Sequence, residues 1–371
     1  MKWHLTTMAG FALMAGHAGA AGIERTGQST AILFEDGRYV EFAFGRVMPD
    51  VSGTKTFAPG MEMTTGGNVL PAYTAASLAF KMPVTPDLDL ALVIDQPIGA
   101  DIAYPAGNYI IGGTRATVDS TALTLMGRYR LPSDVSLIGG VRMMRTSGDV
   151  DMPVATAMGV LPYDMSTSEE TDWGYLLGIA WERKDIGLRV SLTYNSAIDH
   201  QFRAHEITAL GAFDTEFTTT IPQSVNLEAQ TGIAADMLIF GSIRWVDWSA
   251  FDIDPTAYRT MNPANPGGEK LVGYEKDYTT YTIGLGRRFN DTWSGALSLS
   301  YEDKAQRLAS NLGPTNGYVA LGAGLSYTAG PLEVTGLVRY VDFTSTNTEQ
   351  IDATFSGNNA WAAGIRIGYT F

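Results

Sequence analysis

The sequence has no cysteine. Neither a disulfide framework nor a thiolate metal site can be built. Only four histidines occur, and His200 and His205 alone lie beyond the first twenty residues, both in or near a stretch read as a long loop. A Ser-His-acid triad needs a base oriented by a third group, and no local motif supplies one. The spacing of His200, His205 and Glu206 matches no recognised metal-ligand pattern. No catalytic residue, metal or cofactor is therefore expected. Basic residues are also scarce, 25 against 39 acidic ones, for a net charge of −14. Nucleic-acid binding, which needs clustered Lys and Arg, is excluded as a function class. No stretch offers ~20 consecutive apolar residues, so no helix of the mature chain is expected to span a membrane.

What is present points elsewhere. Residues 1–20 carry Lys2, an apolar run over 5–15 and the triplet Ala18-Gly19-Ala20. A charged start, a short apolar core and an A-x-A site read as a secretory signal peptide. Glycine is abundant, at 41 residues, and aromatics make up 11%. Period-two alternation recurs along the chain. In DLDLALVID (87–95), Leu88, Leu90, Leu92 and Ile94 share one face and Asp87, Asp89 and Asp95 the other. Trp173, Tyr175, Leu177, Ile179 and Trp181 alternate with small or polar residues ending at Glu182. In IGLRVSLTYN (186–195) the polar face carries Arg189 and Asn195. The chain ends WAAGIRIGYTF, again alternating, with a terminal aromatic. Such segments are strands with one apolar face, either in a soluble sandwich or in a membrane barrel.

The connections decide between the two. Fourteen strand candidates follow residue 37. Their links alternate between short turns, near 84–86, 131–134, 183–185, 235–237, 289–292 and 329–331, and long loops, near 49–70, 98–113, 147–170, 196–222, 249–275, 304–315 and 344–357. Short turns at one end and long loops at the other are the signature of an outer-membrane barrel. Trp173, Trp181, Trp245, Trp248, Trp293 and Trp361 fall mostly near strand ends, as interfacial girdles require. The expected fold is all-β, a 14-stranded antiparallel transmembrane β-barrel over residues 38–371. Residues 21–37, AGIERTGQSTAILFEDG, precede the first strand. They combine Gly22, Gly27 and Gly37 with the apolar run Ala31, Ile32, Leu33 and Phe34. A free tail would not need that run, so this segment is expected to fold into the lumen as a hatch.

Three stretches carry a family resemblance. IPQSVNLEAQTGIAADMLIFGSIRWVDWSAF (221–251) ends with Trp245, Asp247, Trp248, Ser249 and Phe251. RRFNDTWSGALSLSYED spans 287–303, and GIERTGQSTAILFEDGRYVEFAFGRVMPDVSGT spans 22–54. In this order they resemble the outer-membrane long-chain fatty acid and hydrocarbon transporters of the FadL/TodX family. The resemblance implies a monomeric barrel plugged by its N-terminal hatch. It also implies capture of apolar ligands outside, and an inward kink in the third strand that opens the wall sideways. The hatch Asn-Pro-Ala motif of some members is absent here. The triplet Asn262-Pro263-Ala264 lies in a long loop instead.

Site expectations follow from residues and resemblance together. Pro97 and Gly99 come directly after the third strand candidate. Proline removes a ladder donor and glycine weakens a strand, so these two mark a lateral-exit candidate. Met152, Val154, Met158, Val160 and Leu161 form an apolar loop suited to a ligand pocket, where methionine repacks readily. Arg189 and Arg366 are head-group candidates, since a guanidinium suits a carboxylate, with a solvated role in holding the hatch as the alternative. Tyr369 and Phe371 resemble the terminal signal read by the outer-membrane assembly machinery. The expected partners are fatty acids or hydrocarbons, outer-membrane lipid and lipopolysaccharide, and that machinery. A general or ion-selective porin and a structural or adhesive barrel remain the alternatives.

Overall fold

The structure, a computed structural model, describes residues 22–157 and 159–371. The signal peptide expected over 1–20 and the pocket candidate Met158 lie outside the described residues.

Fourteen antiparallel strands form one closed wall. They are β1 Tyr39–Asp50, β2 Tyr73–Pro83, β3 in two pieces (Leu88–Asp95 and Gly99–Ala103), β4 Arg115–Arg130 and β5 Val135–Thr156. There follow β6 in two pieces (Gly159–Thr167 and Glu170–Arg183), β7 in two pieces (Leu188–Asn195 and Ile198–Thr208) and β8 in two pieces (Gly211–Ile221 and Ser224–Ala234). The rest are β9 Met237–Val246, β10 Tyr278–Arg288, β11 Trp293–Glu302, β12 Tyr318–Ala329, β13 Leu332–Phe343 and β14 Asn359–Thr370. Strand β14 pairs with β1 over its whole length, from Tyr39 against Thr370 to Asp50 against Asn359. That seam leaves no free edge, which is what a hydrocarbon environment demands of a sheet.

The alternation reads directly as inside and outside. Trp173, Tyr175, Leu177, Ile179 and Trp181 are all exposed on the outer surface, while Leu176 and Ala180 between them are buried inward. Asp89 is fully buried, held by Lys81 (2.9 Å) and Arg130. Asp95 accepts from Thr26 (2.7 Å), Glu182 pairs with Arg128 (2.7 Å) and Asn195 accepts from Arg142 (3.2 Å). Asp87 departs from the expected lumen face. It sits exposed in the β2–β3 turn, where its carbonyl accepts from the Arg130 amide. Trp248 departs from the girdle. It is buried against Phe251 and Tyr274.

The regions 147–170 and 196–222, expected as loops, continue as strand. Strand β5 runs to Thr156, and the first piece of β6 turns back along it. The outer pieces of β7 and β8 make a hairpin from Ile198 against Ile221 to Thr208 against Gly211. Their composition alternates as the wall does, so the ladder has no reason to stop at the wall's rim.

Candidate functional site: a plugged lumen, a broken strand and an apolar slot

The amino-terminal segment lies inside the barrel and is tied to strands around its circumference. Glu24 takes a two-pronged contact from Arg244 of β9, with Nε at 2.9 Å. Arg25 pairs with Asp101 of β3 (2.6 Å), Gln28 meets Arg142 of β5, and Ser29 donates to Glu228 of β8 (2.9 Å). The Gly27 carbonyl accepts from Asn226 (3.0 Å). Nearer the short-turn end, Ala31–Phe34 forms one 3-10 turn whose four side chains are all buried. Ile32, Leu33 and Phe34 pack on inward Ala79, Ala91, Met126, Ile138, Leu176 and Ala180. The Lys81 ammonium closes the segment by donating to the carbonyls of Glu35 (2.9 Å) and Gly37 (3.0 Å). Charged lumen residues thus find partners on the segment, which buried charge requires.

One group on the segment is perturbed. Burial pushes the Glu35 carboxyl from 4.5 up to about 8; Arg366 opposes this, and Glu333 and Glu41 add to it.

Among the described residues the ladder lapses in two places: between β6 and β7, where Ser196 and Ser168 bridge to Tyr175 and Arg203, and between β2 and β3. The pairing of β2 with β3 stops at Leu78 against Ile94. Strand β3 ends at Asp95 and resumes at Gly99, where it pairs only with β4. Residues 73–77 of β2 pair with β1 alone. Beyond the gap, the Ala103 amide donates to the Val69 carbonyl (2.9 Å) and closes the wall again. From inside, the amino-terminal segment substitutes for the missing ladder. The Pro97 carbonyl accepts from the amides of Arg25 (2.8 Å) and Thr26 (3.4 Å), and the Gly99 amide donates to the Ile23 carbonyl (2.8 Å). A Cβ at Gly99 would lie 2.3 Å from the Arg25 guanidinium carbon, so the present Arg25 rotamer is compatible only with glycine there.

Above the segment, towards the long loops, lies an apolar slot. Ile23 forms part of its lining, with Ile102, Val118, Val150, Met165, Phe202 and Phe217 from the strands around it. The 247–277 loop contributes Phe251, Ile253, Leu271 and Val272. That loop is held by Glu206, fully buried on β7, which accepts from the amides of Ala257 (3.0 Å) and Tyr258 (2.7 Å) and from the Tyr163 hydroxyl (3.0 Å). The slot is narrow, about 50 Å3. Ile23, Ala100 and Ile102 also line a second space, which shares Arg25, Val47 and Tyr73 with a lumenal cavity of about 280 Å3. Ala75, Ala76 and Ser77, at the gap, line that cavity. Slot, gap and lumen are therefore neighbours along one wall.

Residues 9–365 match the model of a family described as outer membrane protein transport protein (OMPP1/FadL/TodX). The chain belongs to this family. It is an outer-membrane transport protein that crosses by strands, in a family of transport proteins rather than enzymes. No protein of curated function matches the sequence. Among solved structures, a Pseudomonas aeruginosa FadL homologue aligns over 98% of both chains at 14% identity, with a TM-score of 0.75. The Pseudomonas putida toluene transporter TodX aligns over 95% of this chain and 98% of its own at 13% identity (TM-score 0.62). The Ralstonia pickettii toluene transporter TbuX does so over 97% and 98% at 12% (TM-score 0.66). These likenesses are ones of fold.

In this family member the residues singled out by sequence scatter over both ends of the barrel. Gly22 packs on the Trp248 ring, and Pro97 and Gly99 flank the gap. Met152 is buried and Val154 packs beside it, on the outer part of β5. Leu161 is half-buried, while Val160 is 66% exposed and lines no cavity described above. The slot lies two residues closer to the wall, at Val150 and Met165, because the loop is a continuing strand. Arg366 is buried between Glu41 (3.0 Å) and Glu333 (2.5 Å). Arg189 lies over the Phe34 ring (4.5 Å), as Arg128 does (4.4 Å). Both head-group candidates are thus engaged outside the slot, Arg189 against the amino-terminal segment and Arg366 between two wall carboxylates. Phe371 is exposed, its amide on the Arg38 carbonyl (2.8 Å) and its ring 5.0 Å from Tyr369. Phe202 and Phe217 were missed by sequence reading, and Glu206 was weighed there only as a metal ligand. A polar–apolar alternation inside a presumed loop was the signal that could have found them.

Proposed function

We propose that the protein carries hydrophobic molecules, long-chain fatty acids among them, from the outside into the membrane by passive diffusion. Cargo enters the apolar slot above Ile23 and leaves sideways between β2 and β3. The observation that carries this reading is the gap itself. Residues 73–77 are without a β3 partner, and Tyr73, Ala75, Ala76 and Ser77 line the lumenal cavity, which shares Arg25, Val47 and Tyr73 with the space beside the slot. The slot's lining has no Lys or Arg, and apolar contact alone is worth ~0.8 kcal/mol per buried CH2. The toluene transporters among the solved relatives are consistent with apolar cargo.

Residues 22–37 act as the hatch. Cargo pressing on Ile23 displaces the bonds from Arg25, Thr26 and Ile23 to Pro97 and Gly99, so occupancy of the slot loosens the gap. Ser77→Trp, which fills the opening, tests the exit. Oleate and toluene uptake should fall about tenfold at equal surface expression, with slot binding retained. Unchanged uptake would sink the lateral route, and large steady ion currents from the wild type would sink the plugged transporter.

A further inference from the structure

The slot carries a polar spot that its apolar lining does not explain. Thr219, on the outer piece of β8, is 4% exposed, and its hydroxyl finds no hydrogen-bond partner among the described residues. A buried polar group left unpaired costs free energy and calls for an explanation. Thr219 lines the slot, and so does Thr146 of β5. His200 is the cross-strand partner of Thr219, which puts their Cβ atoms about 5 Å apart. The His200 ring is fully buried, with Nε2 3.2 Å from the Thr146 hydroxyl and Nδ1 2.8 Å from the Asp172 carboxylate. In the tautomer that carries its proton on Nδ1, His200 donates to the Asp172 carboxylate and its Nε2 accepts from the Thr146 hydroxyl. The lone pairs of the Thr146 oxygen are then left for a donor in the slot. Thr219 offers a further donor and acceptor close by.

We infer that Thr146 and Thr219, backed by His200 and Asp172, form a head-group site for an apolar molecule ending in a neutral O–H group. This rests on the slot being the entry site, as proposed above, and names what the slot selects. Charge decides the form of the head group. No Lys or Arg lines the slot, whereas Asp149 does and Asp172 stands behind His200. A carboxylate has no cation to meet there. An alcohol fits as it is, and a fatty acid fits in its protonated form, which burial favours. A hydrocarbon leaves Thr219 unpaired.

The test compares 1-decanol, decanoic acid and decane binding to the full-length barrel in lipid nanodiscs, with empty discs subtracted. Thr219→Val keeps the side-chain shape and removes a hydroxyl that holds nothing in the protein. It should weaken decanol about fivefold, the value of one hydrogen bond, and leave decane unchanged. Thr146→Val should do the same through the other hydroxyl. Decanoic acid should behave like decanol at pH 5 and bind less well at pH 8. Equal effects on decanol and decane, or no effect on either, would overturn the site. Decanoic acid binding as well at pH 8 as at pH 5 would overturn the neutral head group. Because binding is read at equilibrium, the Ser77→Trp exit variant should show the same selectivity. Lost uptake with retained selectivity, or the converse, separates failure of the exit from failure of the site.

Discussion

Gly99 and Arg25 meet where the wall opens, so their contact can be tested by volume alone. A valine at 99 cannot coexist with the present Arg25 rotamer, given the 2.3 Å approach. Gly99→Val should expel the Arg25 side chain, break its pair with Asp101, and lower uptake several-fold while the barrel still resists unfolding in a heat-modifiability gel. Glu35 offers a second test at this scale. Its carboxyl sits at about 8 in place against 4.5 when free. Docking the segment therefore takes up a proton between those values. Docking is strongest below about 4.5, weakens as pH rises through that window, and is weakest above about 8. Hydrogen exchange of amides 31–36, corrected for intrinsic rates, should show falling protection from pH 6 to 9, and Glu35→Gln should flatten the slope. Proline 97 was legible as a break because its chemistry is local. Thr146, His200 and Asp172 were not, because their meeting depends on the register of three different strands.

Among the elements, the amino-terminal segment and the 247–277 loop differ in what holds them. The segment is held by charge pairs and by the apolar turn Ala31–Phe34. Deleting residues 22–35 should leave a folded barrel and raise single-channel conductance at least several-fold in planar bilayers. An unchanged conductance would mean that something else blocks the lumen. The loop is held through Glu206, whose carboxylate receives two amides of the short helix Thr256–Met261. Hydrogen bonds to a charged group are worth ~1.5–3 kcal/mol. Glu206→Ala should free the loop, speed proteolysis within 247–277 and weaken apolar binding about tenfold in a nanodisc assay. The segment's apolar run was visible in sequence as something needing a partner. The loop's role over the slot was not, since scattered Phe251, Ile253, Leu271 and Val272 show no period.

At the scale of the whole molecule, closure is the governing event. The β1–β14 seam joins residues more than 300 positions apart in sequence, as in Arg366 with Glu41 and the Phe371 amide with the Arg38 carbonyl. Deleting Phe371 should reduce insertion into the outer membrane, read as surface-exposed, heat-modifiable protein, more than it changes which cargo the inserted fraction takes up. Normal insertion with altered uptake would contradict the proposal that Tyr369 and Phe371 act as an assembly signal.

The sequence alone determined that the chain is a barrel, how many strands it has and which end bears the loops. Alternation and turn chemistry are properties of neighbouring residues, and the need to satisfy every backbone group in hydrocarbon leaves closure as the one outcome. It also placed the break at Pro97. Only the tertiary structure decided what the break faces, which charges the segment neutralises, and that Thr219 is left unpaired in an apolar slot. Those facts depend on which strands lie opposite one another across the lumen, and no local pattern encodes that.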